Sequence, residues 1–371
     1  MDRDLAFVIL RLNSGGAERQ LFELAVRLQR RGDRVTVITL SESAFGVDEL
    51  RDSGVSVIET GQKHATVQPA AVGSAVAALR RLRPFAIVGF MTHGNFVARL
   101  ARLTGSDAMV VNAFRSSREK PIPRALYRLS RSTCDISVSN SKSAAASLGE
   151  LGVLDSNLVT IIENGVDTQR FAPNATVRAE VRNELGWGSA FVWTMVAVMR
   201  PSKRFDLVLH AFAKLRAAFP ALKLAFVGGG VGREVVEERI HVLGLGEHVS
   251  LHGQRRDVER VLCATDAAVL GTDYEGMPNV VLEAQATGLP MVASNVQGVK
   301  DIVVDGETGY LVTPRDALAL FEGMRRVMLL SPADHATMCT RARTRALEFS
   351  LDRAADHWDS LLDRPRGAQP A

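Results

Sequence analysis

Residues 267–293 carry the pattern that most limits what this chain folds into. Ala267–Ala268–Val269–Leu270 is one short apolar run, and Leu289–Pro290–Met291–Val292–Ala293 is another. Between them lies Y-E-G-M-P-N-V-V-L-E, Tyr274 to Glu283. The order reads strand, loop, helix, strand: one right-handed βαβ unit of a parallel sheet. Gly276 permits a tight turn, and Pro278 suits the first turn of a helix, where its missing N–H costs nothing. The spacing predicts a helix over Asn279–Ala286, stopped by Gly288. Its free N–H groups favour a phosphate. Glu275 falls on the loop and Glu283 about one turn into the helix. Taken singly, such glutamates are ordinary dipole partners or solvated helix positions. They become a candidate site through what the rest of the chain supplies.

One such supplier is M-R-P-S-K-R-F, Met199 to Phe205, which follows the apolar run Phe191–Val198. Arg200, Lys203 and Arg204 crowd one loop at a strand end, with Pro201 stiffening it. Arginine offers a planar fork and lysine a point charge, a pair suited to a diphosphate. Around this loop the second half repeats strand and helix signals: a helix over Asp206–Phe219, a strand over Leu222–Val227 ending in Gly228–Gly229–Gly230, a helix over Arg233–Leu243, and strands at Val249–His252 and Tyr310–Val312. The first half has the same grammar. Ala6–Leu10 is a strand, Gly15–Gly16 a turn, and Ala17–Arg31 a helix with Leu21, Leu24, Ala25 and Leu28 on one face. Gly16 permits close backbone approach to a ligand, or is a plain tight turn. Strands follow at Val35–Thr39, Val55–Ile58, Phe85–Phe90, Met109–Phe114, Ile136–Val138 and Val159–Ile162. M-T-H-G-N after Phe90 reads as a loop, with His93 past a strand end and Asn95 as a helix cap. Arg19, in the first helical turn, opposes the helix dipole and hints at a partner.

The expected fold is therefore α/β in two parts, in keeping with 371 residues. Thr168–Ala175 reads as the linker. The N-terminal part is 1–168, joined by an amphipathic terminal helix within 350–371; the C-terminal part is 169–349. Leu351, Ala354, Ala355, Trp358, Leu361 and Leu362 share one face of that helix. Cys134, Cys263 and Cys339 are far apart, without metal-ligand spacing, which favours a reducing compartment. The N-terminus runs straight into a strand and no run is long enough to span a bilayer, so the expected location is cytoplasmic, with the inner face of the membrane as a candidate surface. The net charge of +4 is uneven. Residues 99–131 hold Arg99, Arg102, Arg115, Arg118, Lys120, Arg124, Arg128 and Arg131 against Asp107 and Glu119. Leu126, Tyr127 and Leu129 interleave with the last arginines. This is a solvated helix face or a surface for anionic lipid or an anionic acceptor. No pattern for nucleic acid accompanies it.

Cations with a helix start suit a diphosphate, and carboxylates accept hydrogen bonds from sugar hydroxyls; together they suit a nucleotide sugar. The chain resembles the retaining GT-B glycosyltransferases of the family-4 type over nearly its whole length. The resemblance rests on G-G-A-E-R at 15–19, I-E-N-G-V-D at 162–167, R-P-S-K at 200–203, E-G-M-P-N-V-V-L-E-A at 275–284 and V-D-G-E-T-G-Y-L-V at 304–312. It implies two Rossmann-like domains facing a cleft, with the terminal helix and Trp358 returning to the first. It implies donor binding by Gly15, Gly16, Arg200, Lys203, Gly276, Met277, Pro278, Asn279 and Glu283. Arg200 and Lys203 would neutralise the leaving diphosphate, Glu283 would hold the ribose, Glu275 would contact the transferred sugar, and His93 would line the sugar side. Two places depart from the family pattern. Its G-R-L arginine is Val198 here, with Arg200 two residues on, and its Gly-Asp-Gly is Gly228–Gly229–Gly230.

The expected activity is transfer of a hexose or N-acetylhexosamine from a nucleoside diphosphate, with UDP expected on family frequency, to a hydroxyl of a glycan or lipid-linked acceptor in cell-surface polysaccharide or lipid-linked glycan synthesis. Neither cofactor nor metal is expected, since D-x-D occurs only at Asp2 and Asp4, before the first strand. Two rivals share the architecture: a nucleotide-sugar epimerase, which needs no acceptor, and a two-domain sugar-binding protein, which releases nothing from a labelled donor.

Overall fold

The computed structural model describes residues 2–13, 15–43, 46–61, 67–154 and 159–364. The chain forms two compact units, Met1–Gly165 with Leu351–Ala371, and Val166–Ser350. The first holds strands β1 (Asp4–Ile9), β2 (Arg34–Thr39), β3 (Ser56–Glu59), β4 (Ala86–Phe90), β5 (Met109–Phe114), β6 (Ile136–Ser139) and β7 (Val159–Ile161). They form one parallel sheet in the order β3-β2-β1-β4-β5-β6-β7. The second holds β8 (Phe191–Val196), β9 (Leu222–Val227), β10 (Val249–Leu251), β11 (Ala267–Leu270), β12 (Met291–Ser294) and β13 (Gly309–Val312), again parallel, in the order β10-β9-β8-β11-β12-β13. Both units are Rossmann-like. In each, the strand order reverses beside the unit's first strand, at β1/β4 and at β8/β11, and that is where open α/β sheets bind ligands.

The strands read as near-continuous apolar runs because both sheet faces are covered. In β1, Leu5, Phe7 and Ile9 pack with the Gly16–Arg30 and Leu351–Leu362 helices, while Ala6 and Val8 pack with residues of the Pro69–Leu82 and Met91–Leu103 helices. The terminal helix buries Leu351, Ala355, Trp358, Leu361 and Leu362. Trp358 stacks on Phe90, centroids 6.1 Å apart. Around its rim Arg27 pairs with Asp352, Arg31 with Asp356 and Asp359, and Arg3 with Asp33, Asp359 and Asp363.

The chain passes between units after Gly165 and after Ser350. On one side Gln20, a buried amide one turn into the Gly16–Arg30 helix, bonds both the N–H (2.9 Å) and the carbonyl (2.7 Å) of Gly165. On the other, the Val166 N–H donates to Phe349 O at 2.8 Å and Val166 bridges Ser350. Residues 168–175 are not a free linker. Phe171 is buried in the core of the second unit, Asp167 Oδ1 accepts from the N–H groups of Gln169 and Arg170, and Arg343 bonds the carbonyls of Thr168 and Phe171.

M-T-H-G-N is not a loop either. It opens the Met91–Leu103 helix directly from β4, with Met91 in the left-handed region at φ 58°. Gly94 lies against β1, where an added Cβ would sit 2.0 Å from Val8 O. Asn95 is no cap: it is fully buried, accepting from Ala113 N (3.2 Å) and donating to Tyr127 Oη (3.1 Å). Glycine and asparagine are here for close packing and a buried polar link. Gly94→Ala is expected to lower unfolding stability by about 3 kcal/mol through overpacking. Gly73→Ala, in a helix with open space at that position, is expected to raise it by about 0.5–1 kcal/mol. Denaturant midpoints of the two variants check this pair.

Candidate active site

In the second unit, backbone pairing continues past β8: Ala197 N–H donates to Val227 O and Met199 N–H to Gly229 O. Gly228 and Gly230 hold φ near 138° and 139° and press against this segment, where an added Cβ would lie 2.0 Å from Ala197 O and 2.8 Å from Met199 O. The glycine triplet is therefore a shelf under the Met199–Phe205 loop. A 3-10 turn, Pro201–Lys203, follows, then Arg204 in the left-handed region at φ 48°, then the Phe205–Ala218 helix. From β11 the loop runs back onto this turn: Asp273 N–H donates to Ser202 O at 2.9 Å, and the Thr272 hydroxyl lies 3.3 Å from the same carbonyl. Asp273 pairs with Arg204 (3.6 Å) and Arg315 (2.9 Å). Across the switch point Lys203 Nζ meets Glu275 Oε1 at 2.5 Å, with the two side chains 22% and 12% exposed.

Lys203 and Glu275 are thus partners, not separate stations. A carboxylate so far withdrawn from water needs a counter-charge, and Lys203 supplies it. Arg200 is exposed, and its guanidinium makes no hydrogen bond or ion pair among the described residues. Met277 and Pro278 are buried, and Pro278 is the residue preceding the Asn279–Ala286 helix, at φ −77° and ψ 117°. Gly298, at φ 78°, braces the loop from behind, since a Cβ there would fall 1.9 Å from Gly276 O. Glu283 lies half-buried in that helix. Among the described residues no group of three histidine, cysteine, aspartate or glutamate side chains is placed to hold a metal ion.

In the first unit Gly15 precedes and Gly16 opens the Gly16–Arg30 helix. An added Cβ on Gly15 would lie 2.3 Å from the Glu18 carboxylate, which folds back over the helix start. Arg19 has its partner in Glu23, at 2.5 Å. His93 is exposed in the first turn of its helix. Desolvation lowers its pKa; Glu119 opposes this, while Arg11 and Lys120 add to it. Thr92 Oγ1 donates to Glu119 at 2.8 Å.

The basic stretch 99–131 divides. Arg99 is buried on neutral acceptors, the carbonyls of Tyr127 and Ser130 and the Ser130 hydroxyl. Arg102 pairs with Asp135. Arg115 lies over the Phe90 and Trp358 rings, and burial lowers its pKa to about 10. Tyr127 is core. The surface cations are Arg118, Lys120, Arg124, Arg128 and Arg131.

Two family profiles tile the chain: Glycosyltransferase Family 4 over residues 14–170 and Glycosyl transferases group 1 over 177–345. The chain belongs to the family-4 glycosyltransferases of GT-B fold. HepE of Anabaena, solved with UDP and glucose, superposes with a TM-score of 0.86 at 19% identity over 97% of this chain and 99% of that one. WaaG, a glycosyltransferase involved in lipopolysaccharide biosynthesis, gives 0.78 at 18% identity over 97% and 100%. Among curated relatives, a GDP-mannose-dependent alpha-(1-6)-phosphatidylinositol monomannoside mannosyltransferase of Mycolicibacterium smegmatis is 34% identical over 56% of this chain and 53% of its own length. A D-inositol 3-phosphate glycosyltransferase of Saccharomonospora viridis is 29% identical over 76% and 68%. The chain spans about half the length of the first of these relatives.

Within this GT-B frame, Arg200, Lys203, Glu275, Met277, Pro278, Asn279 and Glu283 fall in one unit around one switch point, and Gly15, Gly16 and His93 in the other. Asp273, which ties the two loops together, escaped the motif reading; its only signal was an acidic residue just after an apolar run. Glu275→Gln releases Lys203 from its carboxylate. A nucleoside diphosphate is then expected to bind about 1 kcal/mol more tightly, the scale of a partly exposed ion pair. Calorimetry that finds unchanged or weaker binding places Lys203 away from the phosphates.

Proposed function

We propose that the protein is a retaining, metal-independent hexosyltransferase that moves a hexose or N-acetylhexosamine from a nucleoside diphosphate to a hydroxyl acceptor. The observation that carries this reading is the Lys203–Glu275 pair at the β8/β11 switch point, beside exposed Arg200 and the start of the Asn279–Ala286 helix. The anomeric carbon–oxygen bond to the diphosphate breaks, and the acceptor oxygen bonds the anomeric carbon. The acceptor proton passes to the departing phosphate oxygen. Arg200, Lys203 and the helix N-terminus stabilise the charge that develops on the diphosphate. Glu283 accepts hydrogen bonds from the ribose hydroxyls, and Glu275, held by Lys203, faces the transferred sugar. Gly15 and Gly16 approach the donor through their backbone, and His93 lines the sugar side. Retention of configuration is carried over from the family.

UDP is the base expected from family resemblance. A second reading, GDP-mannose, is favoured by the GDP-mannose dependence in the name of the 34% identical relative. A thermal-shift panel of UDP, GDP and ADP decides between them. For the acceptor we propose a lipid-linked or anionic glycan at an anionic membrane surface, approached through the basic stretch 99–131. The relatives' names, which speak of phosphatidylinositol monomannoside and inositol 3-phosphate, support a phosphate-bearing acceptor.

Glu283→Ala is expected to weaken donor binding by roughly ten- to a hundredfold, the scale of one or two charge-assisted hydrogen bonds. Glu275→Ala, which also frees Lys203, is expected not to weaken donor binding and to lower turnover by roughly a hundredfold or more. Calorimetry with single-turnover rates separates the two, and equal losses confined to donor affinity contradict the division. Transfer is expected to survive EDTA; loss restored by Mg²⁺ removes the metal-free mechanism.

A further inference from the structure

Four non-glycine residues hold a left-handed backbone among the described residues: Arg83, Met91, Arg204 and Arg315. Two of them send their side chains to the same carboxylate. Asp273 Oδ1 lies 2.9 Å from Arg315 Nε and 3.6 Å from Arg204 Nη1. A residue with a Cβ carries a steric cost in this region that glycine escapes. Such strain persists only where the surroundings hold it, and it gathers at sites of function.

The convergence has a structural cause. Arg204 is the joint between the Pro201–Lys203 turn and the Phe205–Ala218 helix, at φ 48° and ψ 46°. Arg315, at φ 62°, follows β13 and precedes Asp316. The Asp316 side chain caps the Ala317–Met328 helix, accepting from Leu318 N at 2.8 Å and Ala319 N at 3.0 Å. The two helices pack together. The end of β11 runs against both: a Cβ on Gly271 would lie 3.3 Å from Arg204 O and 3.4 Å from Leu320 Cδ1. The loops after β8, β11 and β13 thus meet at Asp273. Their charges are unevenly shared. Arg204 already makes a two-point bond with Asp206, at 3.0 and 2.8 Å. Asp273, only 15% exposed, has its nearer cation in Arg315. Arg315 itself is 62% exposed, so burial of its own stem does not account for an arginine in a conformation that favours glycine.

We infer that Arg315 is a positioning residue of the candidate donor site. Arg315 holds the Asp273 carboxylate. Asp273 in turn holds the Arg204 side chain and, through its N–H, Ser202 O at 2.9 Å. These contacts set the turn that presents Lys203 to Glu275. The loop after β13 thereby serves the phosphate site without itself having to touch the donor. Fixing the turn before a ligand arrives favours binding, because less freedom is then lost. The inference rests on the diphosphate role proposed for Arg200 and Lys203; the geometry of the turn does not.

The test uses the full chain and the variants Arg315→Gly, Arg315→Lys and Asp273→Asn. Glycine suits the left-handed backbone, so Arg315→Gly is expected to keep Tm or raise it by up to about 3 °C. In the same variant the turn loosens. The N–H groups of Lys203, Arg204 and Asp273, which donate to Arg200 O, Pro201 O and Ser202 O, are expected to exchange with solvent about fivefold faster. Affinity for whichever of UDP, GDP and ADP binds the wild type is expected to fall roughly threefold. Arg315→Lys keeps the charge and the strain, and is expected to restore exchange and affinity to within about twofold of wild type with no gain in Tm. Asp273→Asn is expected to loosen the turn as Arg315→Gly does. A turn that loosens while Tm holds or rises is a result that a purely structural ion pair does not give. Unchanged exchange at the turn in Arg315→Gly overturns the inference. So does a fall in Tm with exchange and affinity untouched, or a lysine variant that behaves like the glycine one. If none of the three nucleotides binds the wild type, the nucleotide-sugar reading fails by itself, and exchange at the turn still decides the positioning role.

Discussion

Two neighbouring parallel strands, β8 and β11, end at the same edge of one sheet while their order along the chain is broken there. The rest of the site depends on this constraint. Parallel pairing forces both following loops to leave at the same end, and the reversal of order opens a crevice between them. The two loops are then joined by polar links: Asp273 to Ser202, Asp273 to Arg204, and Lys203 to Glu275. Glycines do the complementary work where backbones touch, at Gly228 and Gly230 under one loop and Gly298 behind the other. The first unit repeats the constraint at β1/β4, where the Gly16–Arg30 and Met91–Leu103 helices begin.

Elements whose cause is local were legible in the sequence. Asn279–Ala286, Leu222–Val227, Met109–Phe114 and Leu351–Leu362 have the predicted bounds, because glycine or proline punctuates them or a period marks them. The start of the Met91–Leu103 helix was missed for an identifiable reason. Its first turns hold Gly94 and Asn95, which look like loop residues until Val8 O and Ala113 N are placed beside them. Burial misled in the same way: Arg99, Arg102 and Arg115 count as surface charge in a sequence, and the fold places one on carbonyls, one on Asp135 and one over two rings. The linker moved because Phe171 found a core.

For the site, the residue types were legible and their pairing was not. Lys203 and Glu275 lie 72 residues apart in the chain, and nothing local announces that one answers the other. Their contact changes the chemistry assigned to each. A lysine already neutralised by a half-buried carboxylate is a weaker phosphate ligand than a free one, and exposed Arg200 gains weight as the cation of the proposed phosphate site. Glu275 in turn is held in one orientation by a 2.5 Å contact, which is what its proposed place beside the transferred sugar requires.

The most direct test of this linkage is a double-mutant cycle on nucleoside diphosphate affinity with Lys203→Ala, Glu275→Gln and the two combined. On the proposed reading Glu275 acts on the diphosphate only through Lys203, so the gain from Glu275→Gln vanishes once Lys203 is absent and the double variant binds like Lys203→Ala alone. Strictly additive effects of the two substitutions would contradict the claim that this ion pair is where the donor's diphosphate is met.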